Sequence, residues 1–405
     1  MEFLKKSVVN RVLFSTLLSI FIGISVLSYM ASNKTYDALN EADEKSIKNE
    51  LTLILGTIKT FNSVAKSSAD QLGGTFAGIL GNTVALDTSR TVKIGDFDTP
   101  VITANGETLN LNFEKVDRFS ALTKGSVATI FVKQGNDFIR VSTSLKKEDG
   151  SRAIGTKLDT KHPGYKKVLN GEEYVGKAKL FGKDYMTKYI PIRQNGMIIG
   201  ILFIGFDISA ELEKLMKNIE SIKIGKTGYY YVVDSKPGDT QGVFLYHPTL
   251  QGKNNLETKD SNGLEFVKEM IAKKSGMITY EWENETKFSA FEAFDEWNWL
   301  IVGGTYVDEI EEKGNEIRNL ILIISIIILS FVSGIVYLLL KKALSPLSNI
   351  QTGLLSFFRF LNRESAKAET IDLKSEDEFG QMAKVINENI AVIEKGLVAD
   401  ANAVA

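Results

Sequence analysis

The stretch DYMTKYIPIRQNGMIIGILFIGFDI, residues 184–208, decides the fold. Apolar residues alternate with others on both sides of Asn195-Gly196, a dipeptide that favours the tight turn of a β-hairpin. A second hairpin pattern, SVATIFVKQGNDFIRVSTSL at 126–145, turns at residues 134–137. The two patterns predict an antiparallel sheet in the middle of the chain.

A similar pattern returns about a hundred residues further on. Leu158 and Leu256 open related segments and lie 98 residues apart, and Gly205 and Gly304 interrupt related apolar strands at a spacing of 99. Two landmarks at nearly one spacing favour a duplicated unit, although two weak matches leave chance coincidence open. We therefore predict two successive antiparallel-sheet units with short helices between strands.

One long helix is predicted before the first sheet. Residues 36–86 contain no proline and carry apolar residues at helical spacing. Those apolar residues include Leu51, Ile54, Leu55, Ile58 and Phe61.

Two uncharged apolar runs, residues 12–31 and 320–340, are long enough to cross a bilayer as helices. The first run is longer than the apolar part of a signal peptide, so we interpret it as an uncleaved anchor. Three basic residues lie within the ten positions before it and only Lys34 within the ten after it. This asymmetry predicts a two-pass protein with both termini cytoplasmic and residues 32–319 outside the cytoplasm.

Composition excludes several function classes. A formal net charge of −2 and 24% charged residues give no basic stripe for nucleic acid. With no cysteine and only His162 and His247, the chain offers neither a thiol nucleophile nor a histidine-rich metal site. Phosphate-binding and dinucleotide-binding glycine motifs do not occur. We expect no enzyme activity, no metal and no cofactor, and we expect both histidines, each followed by proline, to lie in loops.

Beyond the second apolar run, two amphipathic stripes predict helices that need a partner to bury them. The stripes are Leu344, Leu347, Ile350, Leu354, Phe357 and Leu361, then Phe379, Met382, Ile386, Ile390, Ile393 and Leu397. Pro346 can mark a bend between the membrane helix and the first stripe, and Ile371 and Leu373 can pack between the helices. A plain coiled coil, or two core helices, is the alternative.

These features together resemble a known family. A long N-terminal helix, two PAS-like sheet modules and a second membrane span resemble the double Cache sensors of bacterial chemoreceptors and sensor kinases. Residues 137–159, 174–192 and 200–208 look most like the Cache subtype close to citrate-type sensors. The resemblance implies an α+β fold.

The segment after the second span resembles a HAMP linker, which implies a parallel four-helix bundle on dimerisation. Pro346 and the run Asp377-Glu378-Phe379-Gly380 match the HAMP pattern and are the predicted signal-relay residues. The connector, residues 362–375, lacks the glycine usual in that family. The predicted organisation is a cytoplasmic N-terminus (1–11), membrane helix (12–31), stalk helix (32–88), membrane-distal Cache module (89–221), membrane-proximal module (222–308), membrane helix (320–340), HAMP domain (341–396) and the start of a signalling helix (397–405).

Basic and hydroxyl side chains on two predicted strands are candidates for a ligand site. The candidates are Arg140, Ser142, Thr143, Tyr174, Lys188 and Asp207. Arginine presents a planar fork suited to a carboxylate, while the same alternation also describes a solvated sheet face. The resemblance to citrate-type sensors implies a ligand role for Arg140, Thr143 and Lys188.

Amino-acid-binding double Cache sensors suggest another ligand class. Tyr165 and Asp207 match their pattern, but His162 and Gly164 stand where that pattern has Arg and Trp. We therefore favour an organic carboxylate and interpret Asp207 as the cap of a following helix. In the second module we expect a set of aromatic residues to be core. That set is Tyr229, Tyr231, Trp282, Trp297 and Trp299.

The resemblance implies a homodimeric methyl-accepting chemotaxis protein in the bacterial inner membrane, with a periplasmic sensor. A HAMP domain would pass the signal to a chemotaxis kinase and coupling protein through a signalling hairpin expected beyond residue 405. The alternatives are the input half of a sensor histidine kinase or cyclase, an amino-acid receptor and a membrane adhesin.

Overall fold

The computed structural model describes residues 8–404, with side chains for 9–396. The predicted N-terminal segment 1–11 and terminal segment 397–405 thus lie partly outside the described residues. The described helices are α1 (Val8–Leu80), α2 (Glu114–Leu122), α3 (Pro163–Leu169), α4 (Ser209–Glu220), α5 (Phe266–Lys273), α6 (Val307–Leu361) and α7 (Glu378–Val404). Ala42–Ile310 forms one compact unit, and the described residues on either side of it form another.

Fourteen strands are described, all in the compact unit Ala42–Ile310. They are β1 (Val84–Ile94), β2 (Phe97–Ala104), β3 (Glu107–Thr108), β4 (Val127–Gln134), β5 (Asp137–Thr143), β6 (Tyr174–Leu180), β7 (Lys183–Gln194), β8 (Met197–Asp207), β9 (Lys223–Ile224), β10 (Gly228–Asp234), β11 (Phe244–Tyr246), β12 (Ser275–Trp282), β13 (Glu285–Phe294) and β14 (Trp299–Tyr306).

Helix α1 ends earlier than the sequence predicts. It stops at Leu80, short of the expected boundary near residues 86–88. Gly81 adopts a φ of 82°, and its N–H donates to the Ala77 carbonyl at 3.2 Å. A glycine in the left-handed region is a common helix terminator, so the chain turns here. Residues 84–108 then form a three-stranded sheet, β1-β2-β3, where we predicted no strand.

The two larger sheets share one strand order. The first runs β5-β4-β8-β7-β6 and the second β11-β10-β14-β13-β12, with every pair antiparallel and β9 added beside β10. Gly205 lies in β8 between Val127 and Thr187, while Gly304 occupies the matching place in β14. The α+β class and the duplicated sheet unit are confirmed. We name β4–β8 with α3 the first module, and β10–β14 with α5 the second module.

Helix α1 covers one face of both sheets with a shared apolar core. Its buried contributions are Ile47, Leu51, Ile54, Leu55, Ile58, Ala65, Ala69, Phe76 and Leu80. The helical spacing of the predicted apolar stripe therefore describes a real buried face. The opposite face of the first sheet packs under α3, and that of the second sheet packs under α5.

Helices α1 and α6 each contain a segment long and apolar enough to cross a membrane. No residue of either segment is buried, and their apolar side chains are exposed or partly exposed. The Ser28 hydroxyl donates to the Ser325 hydroxyl at 2.7 Å, joining the two helices through a polar contact. Helix α6 continues through Pro346 without interruption to Leu361, so Pro346 does not end the helix.

A small core joins α6, the connector and α7. Ile371 packs with Ile350 and Ala383, and the Asn387 amide both donates to the Ile371 carbonyl and accepts from its N–H. The connector therefore has a defined path beside both helices, with Ile371 held as the apolar contact that we predicted.

Candidate functional site

The predicted site in the first module is organised around Arg140 on β5. Its side chain is only 7% exposed, and its guanidinium lies 4.9 Å from the centre of the Phe131 ring. One terminal nitrogen donates to the Ala153 carbonyl at 3.3 Å and to the Thr156 hydroxyl. The Nε–H has no partner, and no carboxylate among residues 9–396 lies within ion-pair distance. A buried cation without a counter-ion is unusual, since such charges are normally paired.

Aromatic rings surround this cation on the same face of the sheet. The Phe131 ring contacts Phe203 at a centroid distance of 6.4 Å, and Phe203 contacts Tyr189 at 4.9 Å. His162 lies 5.0 Å from Tyr189 and 5.4 Å from Tyr174. Tyr174 pairs with Tyr189 across β6 and β7, so the structure places this predicted residue on the Arg140 face.

The electrostatics of the cluster favour a bound anion. Burial lowers the pKa of Arg140 to about 10, while the nearby Tyr189 acts in the opposite direction. Burial also raises the pKa of Tyr189 and Tyr174 and lowers that of His162. The phenols and the imidazole are therefore neutral near pH 7, and Arg140 carries the one positive charge of the cluster. A carboxylate would supply the missing counter-ion and could accept the free Nε–H.

A β-bulge separates the two predicted hydroxyl residues. Thr143 pairs with Thr129, whose hydroxyl lies 2.6 Å from its own, on the face shared with Arg140. The register then shifts, and Ser142 pairs with Ile130, which belongs to the core beneath α1. The Ser142 hydroxyl donates to the Asn112 carbonyl at 2.5 Å. Ser142 is therefore not part of the Arg140 face, contrary to our prediction.

Lys188, another predicted ligand residue, lies on the opposite face of the sheet from Arg140. It alternates on β7 with Tyr189, and its ammonium forms ion pairs with Asp70 of α1 at 2.9 Å and with Glu173 at 2.8 Å. Burial alone would lower its pKa, but the hydrogen bonds to these carboxylates raise it. A strand presents successive side chains to opposite faces, so Lys188 points away from the Arg140 face. Its ion pair with Asp70 links the sheet to α1.

Asp207 ends β8 at the rim of the first module. One carboxylate oxygen accepts from the Ser209 N–H at 3.0 Å, at the start of α4, and the other pairs with Lys183 at 2.8 Å. Although burial acts to raise the pKa of Asp207, hydrogen bonds from Lys183 and Ser209 hold it below its usual value. Asp207 therefore holds the turn into α4, but the N-cap position of that helix is Ile208 and has no side-chain cap, so Asp207 is not the cap that we predicted.

Four of the five predicted relay residues, those at 377–380, lie at the start of α7. One Asp377 oxygen accepts from the N–H groups of Phe379 and Gly380, each at 3.0 Å, and Glu378 is the first helical residue. A side chain at Gly380 would overlap the Ser375 carbonyl, so this close approach requires glycine. Pro346 lies within α6, away from this turn in sequence.

The second module contains a cavity that sequence reasoning missed. Its volume is about 370 Å³, and it opens on the face that packs under α5. Tyr229, Tyr231 and Trp282 line it, so our expectation that they are only core is incomplete. Trp297 and Trp299 are core residues on the α1 face, as predicted. The duplicated strand order was the available signal, since it implies a second face like that of Arg140.

No group of three or more histidine, aspartate or glutamate residues is arranged for a metal ion in the described chain. His162 accepts the Gly164 N–H, and His247 accepts those of Thr249 and Leu250. His162 is therefore the N-cap of α3, and His247 holds the turn that follows it.

Comparison with known proteins identifies relatives of this architecture. Residues 32–320 match the model of the Cache 3/Cache 2 fusion domain. Two Bacillus subtilis methyl-accepting chemotaxis proteins are 26% identical to the chain: McpA over 47% of this chain and 26% of its own length, McpB over 53% and 31%. The chain thus spans less than a third of either relative.

A solved structure is also similar: the sensory domain of the Campylobacter jejuni chemoreceptor Tlp3, 14% identical, with a TM-score of 0.39. That alignment covers 69% of this chain and 99% of the Tlp3 domain. The match over residues 32–320 takes in both modules and the greater part of the chain, and the chain therefore belongs to the Cache 3/Cache 2 fusion domain family.

Proposed function

We propose that this chain is the sensory part of a transmembrane chemoreceptor and that its first module binds a small organic carboxylate. The observation that carries the proposal is the buried Arg140, whose Nε–H lacks a partner and whose charge lacks a counter-ion among the described residues. A carboxylate would satisfy both requirements at once, because its two oxygens match the guanidinium fork.

The position of the second module suggests how binding would reach the membrane. Strand β14 ends at Tyr306 and α6 begins at Val307, without a linker. A ligand that binds one of two states better shifts their balance by its differential affinity, typically about 1–3 kcal/mol. We infer that α6 carries this shift as a small displacement towards the HAMP-like segment 341–396.

Chemotaxis is favoured over kinase or cyclase output by the two Bacillus relatives, both of which are named methyl-accepting chemotaxis proteins. The proposal therefore includes a chemotaxis kinase and its coupling protein as downstream partners. It also places the chain in the bacterial cell membrane with residues 32–319 outside the cytoplasm, as the distribution of basic residues around the first span indicates.

A homodimer through segment 341–396 completes the proposal. Several large apolar side chains there are exposed in the single chain and would be covered by a second copy. They are Leu355, Phe358, Met382 and Val385. Because the chain has no cysteine, Val385→Cys should cross-link two copies in membranes, whereas Lys384→Cys on a neighbouring face should cross-link less. Equal cross-linking of the two variants would contradict this arrangement.

A thermal-shift screen of the full chain in detergent tests the ligand site. Organic acids and amino acids would be added singly, and we expect a carboxylate to raise the melting temperature. Arg140→Ala should abolish that shift, whereas Arg90→Ala, which removes an exposed arginine paired with Asp87, should preserve it. A shift that survives Arg140→Ala would overturn the assignment.

A further inference from the structure

The cavity of the second module has the composition of a second ligand site. Its volume of about 370 Å³ falls within the range of small-molecule pockets, roughly 300–1,000 Å³. Seven aromatic side chains form most of its wall. They are Tyr229, Tyr231, Phe244, Phe266, Tyr280, Trp282 and Tyr306.

One buried cation lies among these rings. Lys287 is 9% exposed, and its ammonium lies 5.1 Å from the centre of the Tyr229 ring and 4.8 Å from that of Tyr306. It donates to the Tyr229 hydroxyl at 3.3 Å, and no carboxylate in the described chain lies within ion-pair distance of it. Burial lowers its pKa, while the carboxylates of Glu283, which lines the cavity, and Glu285 act in the opposite direction without coming within ion-pair distance.

Apart from the Glu283 carboxylate, the polar side chains that line the cavity can donate hydrogen bonds. His247 accepts two backbone N–H groups through Nδ1, so its neutral ring carries the proton on Nε2. Burial, and then the charge of Lys287, lower the pKa of His247 to about 4, which keeps the imidazole neutral near pH 7. Tyrosine hydroxyls supply further donors. A cationic ligand would be repelled by Lys287, whereas an anion would be held by it.

We propose that this cavity binds a small carboxylate with an aromatic body, the carboxylate on Lys287 and the ring among the aromatic side chains. The site is separate from the Arg140 site, and its occupancy does not depend on the function proposed for the first module. Stacking and edge contacts with the tyrosines and Trp282 select a flat apolar body, and Lys287 selects the charge.

The cavity borders the start of α6. Tyr306, which lines it, is the residue before that helix, and Thr227 lines it as well. Glu309, in the first turn of α6, accepts from the Thr305 hydroxyl at 2.6 Å and from the Thr227 N–H at 3.3 Å. A ligand here contacts the residues that fix the first turn of α6, so it acts closer to that helix than a ligand on Arg140.

Calorimetric titration of the full chain in lipid nanodiscs, with phenylacetate as the probe, tests the inference. We expect phenylacetate to bind the unaltered chain, and Arg140→Met and Lys274→Met to bind it equally well. Lys274 is an exposed lysine of the same module, paired with Asp295, and therefore controls for loss of charge. Lys287→Met should bind at least about tenfold more weakly, because a hydrogen bond to a charged group is lost.

Neutral phenylacetamide should bind the unaltered chain at least about tenfold more weakly than phenylacetate, for the same reason. Lys287→Arg, which keeps the charge, should bind phenylacetate more tightly than Lys287→Met, and this comparison guards against a folding defect. The inference is overturned if the unaltered chain does not bind phenylacetate or if Lys287→Met binds it normally. Loss of binding in Arg140→Met with normal binding in Lys287→Met would move the site to the first module and equally overturn it.

Discussion

The two large sheets have the same strand order, and each buries one cationic side chain on its face opposite α1: Arg140 in the first module and Lys287 in the second. Around Arg140 the aromatic side chains and the Ala153 and Thr156 oxygens close on the guanidinium. Around Lys287 the rings leave a cavity of about 370 Å³. The shared backbone therefore sets where a ligand face lies, while side-chain size and polarity decide what that face can hold.

Removing the aromatic ring beneath Arg140 should have the largest effect on stability. Phe131 is 1% exposed, and Phe131→Ala leaves a void and removes the cation–π contact. We expect a loss of about 3–5 kcal/mol in the free energy of unfolding, measured with denaturant. Phe181→Ala, at a position 37% exposed, is the control and should change stability by under about 1 kcal/mol. Equal losses would show that the Arg140 cluster is not tightly packed.

A larger side chain should destabilise the first module more than the second. Ala153 is fully buried beside Arg140, so Ala153→Leu should destabilise the protein by about 1–3 kcal/mol through overpacking. Leu250 lines the cavity of the second module, and Leu250→Phe has space to enter, so it should change stability by less than about 1 kcal/mol. Denaturant titration of the two variants side by side measures the difference. A larger loss for Leu250→Phe would contradict the contrast between tight packing at Ala153 and open space at Leu250.

The histidines should give the modules different pH dependence. The folded-state pKa of His247 is about 4, below its usual 6.5, so the unfolded chain binds a proton first as pH falls. Stability linked to His247 is therefore complete above about pH 6.5 and is lost between there and pH 4. We expect a loss of about 1 kcal/mol by pH 5, after allowing for partial solvent screening.

His247→Asn keeps a turn acceptor but does not titrate, so it should flatten the dependence of unfolding free energy between pH 6.5 and 5. His162→Asn should flatten it less, because the pKa of His162 is lowered by burial to a smaller extent. Unchanged slopes in both variants would exclude these imidazoles as the cause.

The smallest effect is expected at the rim of the first module. Asp207 and Lys183 form a partly exposed ion pair, so Asp207→Asn should change stability by under about 1 kcal/mol. If Asp207 only holds the turn into α4, binding of an organic acid by the first module is unchanged in this variant, as titration would show. Loss of binding would instead favour the amino-acid class of ligand, in which an aspartate at this strand end takes part.

Periodicity predicted much of the fold because it reports which face of an element is buried. The turns at 134–137 and Asn195-Gly196 and the buried stripe of α1 follow directly from it. The bulge that turns Ser142 away from Arg140 is a local break in that period, and no residue type announces it. Lys188 was wrongly assigned to the ligand site for a related reason. Strand alternation shows which residues share a face, but it does not show that α1 places Asp70 beside Lys188.

A cavity is harder to predict from sequence than a buried core. Tyr229, Tyr231 and Trp282 have the composition of a core, and only the packing of α5 over the sheet leaves space between them. The sequence likewise does not show that Lys287 lacks a carboxylate within ion-pair distance in the described region.

The most direct test of the account is a crystal structure of the full chain with the carboxylate that gives the largest thermal shift. We expect a carboxylate oxygen within about 3 Å of the Arg140 guanidinium, on the face that carries Tyr189. A ligand bound elsewhere, with Arg140 still bonded only to the Ala153 carbonyl and the Thr156 hydroxyl, would contradict it.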